Sequence, residues 1–273
     1  MKTLVVIGMV FMFYLNIYSQ YCFDNNTKTF LEEKFTYDVS WLFIHIGTIT
    51  ITTESIEQRP DLKKIIVDIK TASGLPFIDI DEYNVVIMRL SDGMTMYYDV
   101  IEKQDGKKVE AKCNFYEKEN LAIYEVKDFY NKTLIRKDTL RYNKPYLVGS
   151  SLIYYTRLML KPGSVKSVPT MLGGNFYKTI LNYCGPVEFI EIDAFESPIR
   201  TFKYEGNAEW DGKATAGLSG EFTGWISDDD ASVVLSAEMK IFLGSIDIEL
   251  QKWYKPGWKP PTNKSRLFTD KGK

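Results

Sequence analysis

One histidine, three cysteines and a nearly balanced charge leave this 273-residue chain short of the usual materials of catalysis. With His45 alone, no metal site of two or three histidines can form within one chain. A Ser-His-Asp triad would have to recruit a residue set among Phe43, Ile44 and Ile46 in a strand, a setting that favours a packed or rim histidine. Cys22, Cys113 and Cys184 are too few for a disulfide framework. In an oxidising compartment Cys113 and Cys184 could pair, and otherwise they read as small buried apolar groups. The chain has no Cys-x-x-Cys, no His-Glu-x-x-His, no Gly-rich phosphate loop with Lys and no Gly-x-Ser-x-Gly elbow. No cofactor is implied. A net charge of −2, with no basic stripe beside the aromatics, gives no reason to expect nucleic acid as a partner.

Long apolar runs are also scarce, and the one near the start is short. Lys2, the apolar stretch from Leu4 to Tyr14 and the small Ser19 after Ile17-Tyr18 have the layout of a signal peptide cleaved after residue 19. The run is short for a bilayer span, and the bulky Tyr21 ahead of Cys22 argues against a lipidated cysteine. The expectation is an exported chain with a linker over 20–32, a single domain over 33–253 and a solvated tail over 254–273. That tail is rich in breakers and positive charge, with Lys255, Pro256, Lys259, Pro260 and Pro261.

What the sequence does hold is alternation. Phe35, Tyr37, Val39 and Trp41 alternate with Thr36, Asp38 and Ser40; Ile246, Ile248 and Leu250 alternate with Asp247, Glu249 and Gln251. Similar stretches recur about every ten residues, separated by turns such as Ser91-Asp92-Gly93 and Gln104-Asp105-Gly106. Gly244-Ser245 reads as a two-residue hairpin turn, and Gly47 as a bulge or bend that curves the sheet. Asn207 to Gly220 is small and polar and reads as a loop. One stretch departs from the two-residue period: Leu147, Ile153, Tyr154, Arg157, Leu158 and Leu160 fit a short helix within 147–160. The predicted class is mainly β, a curved antiparallel sheet forming a barrel, half-barrel or sandwich, with that one helix.

For carboxylate chemistry the acids to consider are Asp79, Asp81, Glu191, Asp193 and Asp228, provided two of them face one another across a cleft. Asp228, Asp229 and Asp230 could bind calcium, but such a run more often accepts the backbone donors of a turn. On that reading Trp225 is an interior anchor that ends its strand. Eighteen Tyr and sixteen Phe could line a ligand cavity or fill a core.

Three segments together resemble an exported bacterial family, domain of unknown function 3108. They are Glu33-Lys34-Phe35-Thr36-Tyr37-Asp38-Val39-Ser40-Trp41 with Gly47-Thr48, then Tyr154-Tyr155-Thr156-Arg157 with Gly163, and Trp225-Ile226-Ser227-Asp228-Asp229 leading to Gly244-Ser245. The family often carries Arg and Pro after the Ser-Asp-Asp stretch, where this chain has Ala231, Ser232 and Val233, so that loop is expected to differ. The resemblance implies a β-rich protein in the periplasm of a Gram-negative bacterium, or secreted, and brings no catalytic residues. The reading that follows is a non-enzymatic envelope protein holding a lipid or glycan in a sheet cavity, with Trp41, Tyr154, Arg157 and Trp225 as ligand-binding candidates. A carboxylate-dependent hydrolase of envelope polysaccharide is the alternative. An outer-membrane barrel fits less well, because Glu238 and Lys240, or Asp247 and Glu249, charge one face of its strands. Oligomeric state is left open.

Overall fold

The computed structural model describes residues 32–72, 80–104, 106–159, 161–210, 220–241 and 244–262; the stretch expected to be a signal peptide, Cys22 and Asp79 lie outside them. The alternating stretches are strands: β1 (Glu33–Trp41), β2 (Ile44–Ser55), β3 (Leu62–Thr71), β4 (Asp81–Arg89), β5 (Thr95–Gln104), β6 (Lys107–Tyr116), β7 (Leu121–Asp128) and β8 (Leu134–Arg141). The short β9 (Leu147–Val148) leads into helix α1 (Leu152–Met159). After it come β10 (Ser164–Leu172), β11 (Asn175–Tyr183), β12 (Val187–Ile190), β13 (Ile199–Glu209), β14 (Gly220–Ser227), β15 (Val234–Lys240) and β16 (Ser245–Tyr254).

These strands form one large curved sheet that does not close, in the order β8-β7-β6-β5-β4-β3-β2-β1-β16-β15-β14-β13-β11-β10-β9, with β12 paired to β13. The fold is thus mainly β with one short helix, as the alternation predicts. Antiparallel meanders build each half, and β1 joins them by pairing with β16, Phe35 opposite Trp253 and Val39 opposite Ile248. Val39 pairs with Gly47 but Ser40 with His45, so Ile46 is an extra residue beside the glycine, the bulge that Gly47 signals. His45 is a rim residue, its Nδ1 2.5 Å from Asp38 Oδ1.

Curvature lets the sheet's own concave face form the core. The β10–β11 turn lies over β7 and β8, where Arg136 donates to the Gly173 carbonyl at 3.2 Å. Gly174, at φ +77°, makes room for the Tyr124 ring, which a side chain there would strike. Parallel β9 closes over β5, Val148 N donating to Thr95 Oγ1 at 3.1 Å. Phe35, Ile65, Met88, Tyr124, Met171 and Leu181 are almost fully buried within this curl.

Local details differ from the sequence reading. The β15–β16 connection spans 241–244, not Gly244-Ser245, because Ser245 already pairs with Lys240; Gly244 supplies the positive φ of +83°. β13 continues to Glu209 because Glu205 to Ala208 pair with β14 across from Gly220 to Thr223. The tail is not solvated from residue 254 onward. It is docked as far as Thr262, which bridges to Ile199, while Arg200 N donates to the Pro261 carbonyl.

Cys113 and Cys184 are both free thiols. Cys113 is fully buried against Met171, its Sγ 3.8 Å from the thioether, and burial pushes its pKa up to about 12. Cys184 is exposed. A thiol reagent applied to the native protein should therefore label Cys184 and reach Cys113 only on unfolding. Peptide mapping that finds the two joined would refute this arrangement.

Candidate functional site

Glu33 begins β1 in phase with Phe35 and Tyr37, so alternation carries its carboxylate onto the inward, apolar face. A lone carboxylate there would be prohibitively costly, and it is met by charge from two directions. Arg157, from α1, binds it with two nitrogens, Nη1 to Oε1 at 2.5 Å and Nη2 to Oε2 at 3.2 Å. Lys255 Nζ, from the docked tail, reaches Oε2 at 2.8 Å. Tyr154, one turn before Arg157, donates its hydroxyl to Oε1 at 2.8 Å. The side chains of Glu33 and Arg157 are 0% and 2% exposed. Burial alone would raise Glu33, but Arg157 and then Lys255 outweigh it and hold the carboxyl below its ordinary value. Burial likewise opposes the Arg157 charge, and Glu33 more than restores it.

The guanidinium also organises the loop between β14 and β15. Its Nε donates to the Ser232 carbonyl and Nη2 to that of Ala231, both at 3.0 Å. Within that loop Asp229 Oδ1 accepts from the Ser227 hydroxyl at 2.8 Å and from the backbone N of Ala231 and Ser232 at 3.1 Å. Its Oδ2 accepts the Trp258 indole at 2.8 Å, and Trp258 packs on Trp253 and Phe195. Asp229 is a turn cap, as its place in the acidic run suggests. Asp228 pairs with Arg200 at 2.6 Å, and Asp230 is exposed.

The three segments that carry the family resemblance therefore meet at one point, through Glu33, Arg157 and Asp229. Of the ligand-binding candidates, Tyr154 and Arg157 belong to this cluster. Trp41 lies at the far end of β1, and Trp225 faces the other side of the sheet. The expectation of an interior Trp225 is corrected by the strand's own period. Phe222, Gly224 and Ile226 point inward, so Trp225 points outward, half-buried, with its indole on Glu188 and Lys203 Nζ 5.8 Å from its ring centre. Asp81 begins β4, Glu191 and Asp193 follow β12, and Asp228 follows β14. Asp81 pairs with Lys108 and Asp228 with Arg200, while Asp193 gives only its backbone N to Glu249. Among the described residues no hydrogen bond links any two of them.

Glu33 and Lys255 were missed as partners, although a carboxylate in step with Phe35 and Tyr37 is a readable signal. Lys63 was missed in the same way: it is in step with Ile65 and Val67 and is buried, with Ser55 Oγ at 3.2 Å its one hydrogen-bond partner among the described residues. Lys63 edges a recess between α1 and β3–β4, lined also by Ile65, Met88, Leu90, Tyr154 and Leu158. The recess holds about 190 Å³ of unfilled space, part of it open to solvent and none of it wide enough for a water molecule. Among the described residues the concave face is filled by inward side chains such as Phe35, Tyr124 and Met171.

Glu33→Gln should cost about 3–5 kcal/mol, since Arg157 and Lys255 would stay buried without a counter-charge. The carboxyl is more acidic folded than unfolded, so its contribution is complete above the ordinary glutamate range. It fades as the pH falls through the lowered value. Denaturant titrations from pH 6 downward should show this acid loss in the native protein and less of it in Glu33→Gln; identical pH slopes would refute the ion cluster. Trp225→Ala should cost about 1 kcal/mol, less than Asp229→Ala at about 2–3 kcal/mol, which strands three donors and the Trp258 indole. The reverse order in thermal unfolding would return Trp225 to the core.

No curated protein matches the chain. Among solved structures it is similar to a beta-barrel-like protein of domain of unknown function DUF1849 from Brucella abortus, with 10% identity and a TM-score of 0.53 over 82% of this chain and 97% of that one. That likeness concerns the fold. The Mycobacterium tuberculosis lipoprotein LppX aligns over 82% of this chain and 87% of its own, with 15% identity and a TM-score of 0.25. Residues 36–251, from within β1 to within β16 and including the helix and the acidic turn, match the family described as protein of unknown function DUF3108, and the chain belongs to that family.

Proposed function

We propose that this is an exported, non-enzymatic protein of the bacterial envelope that binds an anionic amphiphile, an acyl chain with a carboxylate or phosphate head, beneath α1. The observation that supports the reading is the pairing of an apolar recess with a buried cation that lacks a carboxylate partner. Around Glu33 one carboxylate faces Arg157 and Lys255, and Lys63 adds a positive charge on which Glu33 and Glu32 act only from beyond hydrogen-bonding reach. An anionic head would give Lys63 the close counter-charge it lacks, and the chain would lie along Ile65, Met88 and Leu158. Since the recess is too narrow for a water molecule, entry requires α1 to swing away from β3 and β4, a motion of a single two-turn helix.

Native mass spectrometry of protein drawn from its own envelope should show a retained amphiphile, and dodecyl phosphate should bind the emptied protein. Lys63→Met keeps the volume and removes the charge, so affinity for dodecyl phosphate should fall about tenfold while the fold persists. Burial lowers the Lys63 pKa, so binding should weaken as the pH rises through that lowered value, earlier than an ordinary lysine would require. Equal affinity in Lys63→Met, or no retained mass, would reject the reading. Retention of a neutral glycan, indifferent to Lys63, would replace the ligand.

A further inference from the structure

The turn between β1 and β2 is built from residues that such turns avoid. Trp41 pairs with Ile44, leaving Leu42 and Phe43 as a two-residue hairpin loop, with φ of +48° and +67°. Hairpins of this kind take Asn and Gly there, because a β-carbon is strained in the left-handed region. Here the strained positions hold large apolar side chains and turn them outward: Phe43 is 99% exposed, with Leu42 and Ile44 about half exposed beside it. The tip is braced underneath, since Gly244 leaves space that Leu42 enters; a β-carbon at Gly244 would lie 2.9 Å from its Cδ2.

A second tip shares the rim. Strands alternate in direction across the sheet, so the β1–β2 and β7–β8 connections emerge on the same side. The latter presents Tyr130, 78% exposed, beside Phe129, with Leu134 and Ile135 half exposed behind it. Four lysines among the described residues of this rim are paired: Lys70 with Asp68, Lys108 with Asp81, Lys132 with Glu110 and Lys240 with Glu221.

We infer that this rim docks on a lipid bilayer, with Phe43 and its neighbours entering the acyl boundary and Tyr130 resting at the headgroups. The occupant follows from shape and charge. A three-residue wedge offers far less than the roughly 800 Å² per partner of a stable protein interface, whereas a bilayer accepts isolated apolar points and favours aromatic rings at its boundary. With these four lysines paired, docking rests on apolar burial and tolerates salt. This inference is independent of the amphiphile site.

The test is flotation of the purified protein with vesicles of phosphatidylcholine and phosphatidylethanolamine at low and high salt. The native protein should float equally in both. Replacing Leu42-Phe43 by Asn-Gly should raise the melting temperature by about 3 °C or more through relief of strain, and lower partitioning about tenfold. Tyr130→Ser should lower it a few-fold. The inference is overturned if the native protein does not float, if the Asn-Gly variant floats equally, or if the tip instead drives self-association that the variant loses.

Discussion

A carboxylate that cannot be left alone governs this structure. Glu33 is carried inside by the period of its own strand, and the remedy comes from places remote in sequence: α1, the segment after β16 and, through Arg157, the loop after β14. An exposed ion pair of this kind would contribute little. Removed from water, each member becomes costly without the others, so the cluster dictates which elements must be adjacent. A helix of only two turns, marginal by itself, is held on the sheet by that constraint and by the apolar contacts of Tyr154 and Leu158.

Legibility in the sequence followed the range of the interaction. Alternation in β1, β6 and β16, the break at the helix and the bulge by Gly47 are local, and all could be read from neighbours in the chain. At Trp225 the phase of β14 outweighs the bulk of the ring, since Phe222 and Ile226 fix which side it takes. The β15–β16 connection was misplaced because strand pairing, not glycine alone, decides where a turn begins. Lys255 looked like part of a solvated tail, since nothing local marks it for burial; its partner lies 222 residues away. The charge cluster was legible in halves, as residues out of character on apolar faces, but not as an assembly.

The same sheet carries two kinds of unusual chemistry at opposite places. Charge is hidden behind α1, where Glu33, Arg157, Lys255 and Lys63 crowd together, and apolar bulk is displayed at the rim by Phe43. Each is contrary to the ordinary partition of residues between core and surface. A fold that otherwise follows simple alternation tolerates both because the rest of the sheet, filled by residues such as Tyr124 and Met171, supplies the burial that they do not.

The pairing of β1 with β16 also bears on when this molecule can become itself. Each half is a series of neighbouring hairpins that can zip locally, but the seam between them joins the first strand to the last, and the ion cluster beside it needs Lys255 as well. Closing a loop of that length is entropically slow, and its reward arrives only when almost the whole described chain is present. Until then Glu33 has no cause to leave water. The two halves of such a chain can therefore form before they join, and the buried ion cluster acts as a latch set on completion.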